Sequence, residues 1–382
     1  MTLRFMVDSG HLDGSSGALK VRLYIIFISL AMAGTQLIDA HFSKAIRGSV
    51  SQWMHDNSLE SCLAALDNPV DLGAYLLPQV IAALTAVDVD LYDVQRSAWT
   101  NPLIHLRAVF DIHDLPDTPT AFIPVPDVAS TVAARASAVV CLAALNSDTI
   151  SYGSENDGQL FVNLVVLPGD GDFADKSKSN MRGHTDGVSF PVRGQPHEFD
   201  QRVAPSPDFV CLSGLRNPNS TATTVMPLSA VLQKLTDEEI EELTKPQYIL
   251  RPQKTFKVGL RKLLGKDSPL LEVMVDIQLL FETQDGHWIR YSHSAADTDF
   301  DSELASQAIK SFEQACQECS ASVVIAPGDI LLVNNRVGLH GRGVVGGEAG
   351  GDSRWLLRTY GLDTRELRAE QRYPDSTFKL YP

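Results

Sequence analysis

The chain has 382 residues, 44% apolar and 21% charged, and 47 acidic against 32 basic side chains leave a net charge of −15. That apolar content excludes a disordered chain, and 26 Gly with 20 Pro exclude collagen-like or low-complexity sequence. The acidity argues against a nucleic-acid partner and against attachment to an anionic membrane, but leaves room for a small anion held by a local arginine.

Residues 1–20 are Gly/Ser-rich. Leu23–Leu30 (LYIIFISL) follows Lys20 and Arg22 and imitates a secretory signal. The segment before it is long and carries Asp8 and Asp13, and the apolar run is too short to span a membrane. A buried strand or an upstream start is the better reading, and a cytoplasmic protein is expected. From Ser43 to Leu91 the pattern is helical, with Leu59, Cys62, Leu63 and Leu66 at spacings of three and four. Ala129–Leu145 reads as a buried helix. Gln159–Leu167 then opens a run of short strands: Asp208–Leu212, Thr223–Met226, Leu271–Phe281, His287–Tyr291, Val323–Ile325, Ile330–Val333 and Arg354–Tyr360. Helices are expected at Leu228–Leu243, where Thr236 to Glu239 form a capping box, and at Ser302–Ser320. The expected fold class is α+β. A mainly helical region, 1–145, packs on a strand-rich core, 146–382, as one composite domain.

Five cysteines are too few and too scattered for a disulfide framework. Cys316 and Cys319 form a CxxC inside an expected helix, and read as ordinary thiols. Gly259 to Asp267 superficially resembles a phosphate-binding loop. It has five residues between its glycines rather than four, and Asp267 stands where a hydroxyl must bind magnesium. It reads as a solvated segment or hinge, and Gly346–Gly351 as a flexible loop.

His184-Thr185-Asp186 carries the sharpest chemistry. In an extended segment, residues i and i+2 point to one side, so an imidazole and a carboxylate aim together. A second histidine would complete a two-His-one-carboxylate set, which leaves positions open on Fe(II). His340 is the best candidate, in a strand-end loop after Pro327-Gly328-Asp329. Arg354 and Arg358 follow, 14 and 18 residues later. On a strand both face one side with Leu356, while Trp355 and Leu357 face the other. Buried arginines call for anions, and a guanidinium grips a carboxylate through two parallel hydrogen bonds.

The pattern P-G-D-x-L-x-x-N-N-x-x-x-x-H-G-R…R-W-L-x-R, preceded by H-T-D, resembles the Fe(II)/2-oxoglutarate-dependent oxygenases, and within them the clavaminate synthase-like branch of amino-acid hydroxylases. The resemblance spans about Ser151 to Tyr360. It implies a double-stranded β-helix (jelly-roll) core with flanking helices. It implies iron held by His184, Asp186 and His340, with 2-oxoglutarate and O2 as co-substrates. Arg354 would clamp the distal carboxylate of 2-oxoglutarate. Thr224, or alternatively Thr223, would supply an assisting hydroxyl, and Arg358 would lie near the substrate carboxylate. The expected reaction hydroxylates an unactivated C–H of an amino acid and releases succinate and CO2. Members of the branch often carry Glu where this chain has Asp186, which makes substrate orientation less transferable. Asp186 also argues against a halogenase, in which Ala or Gly makes way for chloride.

For the substrate, a free lysine or arginine is expected first. Asp297 and Asp299 would meet a basic side chain, and Glu155 would meet the α-ammonium. A neutral or carrier-bound amino acid stays open. So does a metal-free β-sandwich binding protein, which would leave the joint spacing of His184, Asp186, His340 and Arg354 to chance.

Overall fold

The computed structural model describes residues 36–195, 200–284, 286–298 and 302–382. Leu23–Leu30, His197 and Asp299 lie outside them. The first part is helical: α1 (36–56), α2 (Leu59–Leu66), α3 (Pro69–Thr85), α4 (Leu91–Thr100) and α5 (Ala129–Ala144), with one strand, β1 (Leu103–Leu106), before α5. Local chemistry starts these helices. Ser58 accepts from the Ser61 N–H to cap α2, Pro69 opens α3, and Asp90 caps α4. α5 is buried on nearly every face. Its Ala143 meets Gly73 of α3 so closely that a Cβ on Gly73 would lie 2.9 Å from it.

The remainder is strand-rich. It runs β2 (Asp148–Tyr152), β3 (Val162–Val165), α6 (Asp172–Lys178), β4 (Met181–His184), β5 (Phe209–Arg216), β6 (Ala222–Pro227), α7 (Leu228–Leu232), α8 (Asp237–Thr244), β7 (Tyr248–Leu250), α9 (Lys254–Leu264), β8 (Met274–Ile277), β9 (Leu280–Thr283), β10 (Gly286–Ile289), β11 (Ala296–Thr298), α10 (Glu303–Glu318), β12 (Ala321–Val324), β13 (Ile330–Asn334), β14 (Gly338–Arg342), β15 (Trp355–Leu362) and β16 (Lys379–Leu380). A seven-stranded sheet has the order β1-β13-β5-β15-β2-β16, with β3 also on β15. A four-stranded sheet has the order β12-β6-β14-β4. β5 to β6, β12 to β13 and β13 to β14 each cross from one sheet to the other. The helical region contributes β1 to the large sheet, and α5 covers one face of that sheet. The other face meets the small sheet across a cluster that includes Leu212, Val225, Leu331, Leu356 and Tyr360. β15 alternates as its sequence dictates: Leu356 and Tyr360 join this inner cluster, and Trp355 and Leu357 join the helix-facing one.

The expected helix Leu228–Leu243 is two helices. Thr236 accepts from the Glu239 N–H and starts α8, so the capping box inside the expected span was itself the boundary. Leu271–Phe281 divides into a 3-10 turn, β8 and β9. Residues 254–264 form α9, with Phe256 and Leu260 buried, rather than a solvated hinge. Cys316 and Cys319 are free thiols at the end of α10, and burial pushes Cys316 up to about 12. Among the described residues no helix is long and apolar enough to cross a membrane.

One buried ion pair ties the turn after β13 to the frame. Asp208 accepts from Arg336 Nε at 2.8 Å and from the Asp363 N–H at 2.9 Å. Arg336 also donates to Ser206 Oγ and to the Ser206 carbonyl. Removing one partner would strand a charge in the interior. Asp208→Ala is therefore expected to lose about 3–5 kcal/mol in urea denaturation. A loss below about 1 kcal/mol, the scale of an exposed pair, would contradict this account.

Candidate metal centre and its cavity

β4 and β14 run antiparallel with His184 directly opposite His340, and their ring centroids lie 4.4 Å apart. Opposite residues in a ladder share a face, so both imidazoles enter the space between the sheets. The His184 Nδ1–H donates to the Arg182 carbonyl at 3.0 Å, which leaves Nε2 as the free lone pair. That Nε2 lies 3.4 Å from Asp186 Oδ1, and His340 Nε2 lies 3.9 Å from Asp186 Oδ2. The three residues are buried, and their ligand atoms lie within 4.8 Å of one another.

Burial pushes the Asp186 carboxyl up, but the adjoining His184, His340 and Arg358 outweigh it and hold the group below the usual carboxylate range. Burial pushes the His340 imidazole down to about 3, with His184 and Arg358 acting the same way. A neutral His340 imidazole beside an ionised Asp186 carboxylate has the protonation states a metal ion requires. Two nitrogens and one oxygen, without thiolate, suit Fe(II) with open positions. The residues fit the ion.

Around this set lies a second ring of polar groups. Tyr360 donates its hydroxyl to Asp186 Oδ2 at 3.2 Å. Arg358 lies 2.7 Å from Glu155 Oε2 and 3.8 Å from Asp186 Oδ2, and its guanidinium sits 4.5 Å from the Tyr360 ring centroid. Burial raises the Glu155 carboxyl, and Arg358 pulls it back only in part. Arg354 is buried, and its Nε is without a hydrogen-bond partner. Burial presses it down to about 9, and repulsion from Arg342 adds to this. Arg342 spends one nitrogen on the Lys176 and Ser179 carbonyls, and its own Nε is likewise unpartnered. Two such arginines on one side of the metal set fit a small dicarboxylate.

A cavity of about 520 Å³ opens onto this set. His184, Asp186, Glu155, Arg342 and Arg358 line it, together with Lys176, Arg182, Gln253 and His293. Sequence reasoning thus placed His184, Asp186, His340, Arg354, Arg358 and Glu155 in one neighbourhood. The two threonines separate. Thr223 pairs with Arg342 across the ladder, on the metal face, and is buried. Thr224, the first choice, pairs with Gly341 on the opposite face. It lines a separate cleft of about 230 Å³ with Met181, Tyr291 and Cys316. Asp297 does not line the cavity; it pairs with Arg251, which does, at 3.2 Å. Arg342 and Tyr360 went without a role in the sequence. Each stands two residues beyond a singled-out side chain on its strand, and that parity was the signal.

The donor set and the mixed α/β frame define a mononuclear non-haem iron oxygenase. Residues 146–360 match the family described as taurine catabolism dioxygenase TauD, TfdA family. The chain is 27% identical over 284 residues to the L-asparagine oxygenase of Streptomyces coelicolor, covering 73% of this chain and 77% of that one. It is 25% identical over 278 residues to the enduracididine beta-hydroxylase of Streptomyces hygroscopicus, covering 68% and 75%. The crystal structure of asparagine oxygenase with Fe(II), 2S,3S-3-hydroxyasparagine and succinate superposes with a TM-score of 0.66 at 20% identity, covering 89% of this chain and 97% of that one. The chain belongs to the TauD/TfdA dioxygenase family. It is a 2-oxoglutarate-dependent dioxygenase, with Fe(II), 2-oxoglutarate and O2 as cofactor and co-substrates.

The Glu155–Arg358 pair yields a prediction. Arg358→Met removes the charge that opposes burial at Glu155, so its pKa climbs further above 4.5. Between the unfolded and the raised folded value, the folded state holds the extra proton. Stability therefore falls as pH rises, by at most about 1.4 kcal/mol per pH unit. Urea denaturation of the metal-free variant at about pH 5 and about pH 8 should show a steeper loss than in the wild type. Equal slopes would mean that Arg358 does not set the Glu155 charge.

Proposed function

We propose that this dioxygenase hydroxylates an unactivated C–H of a free amino acid. The buried Glu155–Arg358 pair carries the reading. Opposite charges 2.7 Å apart line the cavity beside Asp186. Each can exchange its partner for one end of a zwitterion: Glu155 takes the α-ammonium and Arg358 the carboxylate. The curated relatives that act on asparagine and enduracididine support the same substrate class.

His184, Asp186 and His340 would hold the iron. Bound there, iron with 2-oxoglutarate and O2 supplies the oxidising power, and succinate and CO2 leave. The protein's share is placement. Arg354, with Arg342 beside it, takes the distal carboxylate of 2-oxoglutarate. Thr223, rather than Thr224, faces the same side to assist. The His184 Nδ1–H bond to the Arg182 carbonyl fixes its ring. The inner cluster keeps water from the far side. We infer that the two sheets form a double-stranded β-helix, because successive strands cross between them. Residues 36–145 and 146–382 work as one unit through β1.

A basic side chain, lysine or arginine, is the first substrate proposed, since Asp172 lines the cavity and Asp297 stands beside its lining residue Arg251. The Asp299 expectation remains part of that reading. Lys176 and Arg182 in the lining favour a neutral side chain as the second reading.

Three measurements test this. Succinate release across a panel of free amino acids should peak with lysine or arginine; turnover with a neutral one alone would transfer the proposal to the second reading. Anaerobic Fe(II) with 2-oxoglutarate should give a visible charge-transfer band that is absent in His184→Ala. Arg354→Met should weaken 2-oxoglutarate binding by about 30-fold or more and leave Fe(II) affinity unchanged. Unaltered 2-oxoglutarate binding would remove Arg354 from this role.

A further inference from the structure

The segment that carries Asp186 lacks a strand where it most needs one. Pairing between β4 and β14 reaches His184↔His340 at the end of β4. Beyond it, Thr185 is served by backbone: its N–H donates to the Tyr291 carbonyl, and its hydroxyl accepts from the Tyr291 N–H. Asp186 is served by a side chain. Its N–H donates to Asn335 Oδ1 at 2.9 Å, and its carbonyl accepts from Asn335 Nδ2 at 3.0 Å. One primary amide thus offers the donor and acceptor that a neighbouring strand would offer. Asn335 is itself fixed. It is 1% exposed, its Nδ2 also reaches the Pro207 carbonyl, and its N–H donates to the Asp208 carbonyl at 2.8 Å. A second amide acts on the flanking peptides. Gln253 Oε1 accepts from the Gly187 N–H at 3.1 Å, and its Nε2 donates to the Thr185 carbonyl at 3.4 Å.

We propose that Asn335 and Gln253 are positioning residues for the iron carboxylate, two side-chain amides that replace a missing strand around Asp186. The proposal rests on the reading of His184, Asp186 and His340 as the iron site. Asn335 stands five residues before His340, so one buried turn sets the spacing of two ligands. Gln253 stands at the entrance to α9 and lines the cavity, so it ties the wall of the cavity to the metal segment. Neither side chain is a ligand. Their contribution is to hold the Asp186 backbone so that its carboxylate need not search for the ion.

Anaerobic calorimetric titration of Fe(II) into the metal-free full chain tests this without turnover. Asn335→Ala should weaken Fe(II) binding about 10- to 100-fold, the usual cost of losing a partner behind a ligand. Gln253→Ala should weaken it about 10-fold with an unchanged melting temperature, since this side chain is only half-buried. Asn334→Ala is the control. Asn334 is equally buried and spends its amide on the Ala98 and Trp99 carbonyls and the Arg336 N–H, away from the metal. It should lose stability and keep Fe(II) affinity within about twofold. Fe(II) binding within twofold of wild type in a folded Asn335→Ala, or in Gln253→Ala, overturns the proposal. So does an equal loss in Asn334→Ala, which would reduce the effect to general destabilisation. Should Asn335→Ala fail to fold, Gln253→Ala decides. Wild-type protein that takes up no Fe(II) would instead overturn the metal reading beneath it.

Discussion

The site depends on one register. β4 and β14 pair so that His184 and His340 stand opposite each other. In a ladder of period two, a slip of one residue turns every side chain on the strand to the other face. His184 and His340 would then leave the space between the sheets, and Arg342 would leave with them. The register is held from both sides of β14. β6 pairs along its whole length, with Leu339 opposite Met226 on one face and His340 opposite Val225 on the other. Leu339 and Met226 belong to an apolar cluster outside the small sheet, and Val225 to the cluster inside it. Apolar residues on both faces therefore oppose a slip, and the ligands ride on positions that packing has already fixed.

The second constraint is charge. Glu155, Asp186, His340, Arg342, Arg354 and Arg358 are among the titratable groups that lie in or beside one buried space. Their solutions differ. Arg358 stands between Glu155 and Asp186 in a chain of contacts, and the Tyr360 hydroxyl donates to the Asp186 oxygen that Arg358 approaches. Arg354 and Arg342 repel each other. Neither Nε has found an acceptor. The first arrangement gives Arg358 two carboxylate partners, although its Nε also lacks an acceptor. The second is incomplete, and an anion relieves it. The contrast explains why the substrate and 2-oxoglutarate are assigned to different arginines, Arg358 within β15 and Arg354 just before it. The net charge of −15 does not enter this balance, because exposed carboxylates in water are screened from an interior pair.

What the sequence made legible follows the same parity. His184 with Asp186, and Arg354 with Arg358, were readable because period-two spacing needs no knowledge of partners. Trp355 and Leu357 face the helices and Leu356 the inner cluster, as that spacing requires. Thr223 and Thr224 were not separable. Adjacent residues take opposite faces, and only the pairing with Arg342 or Gly341 tells which face holds the metal. α9 escaped because its Lys-rich texture masks two buried apolar residues, Phe256 and Leu260, at helical spacing. The clamp by Asn335 escaped for a deeper reason. An amide that replaces a strand is defined by a backbone gap elsewhere in the fold, and no local pattern announces the gap.

α9 then connects the two halves of the site. Gln253 at its entrance holds the peptides around Asp186, while Gly259 lies against the Ser154 backbone, where an added Cβ would meet the carbonyl oxygen at 1.8 Å. Ser154 precedes Glu155, so one helix touches both the metal segment and the segment that carries the proposed ammonium acceptor. Only a residue without a side chain permits that approach. The helix is also tethered at its ends by exposed ion pairs, Lys254 to Asp172 and Lys262 to Asp157. Such pairs contribute little to stability. They nonetheless join α9 to α6 on one side and to the turn after Glu155 on the other. α9 thereby links the segment of Asp186 to the segment of Glu155.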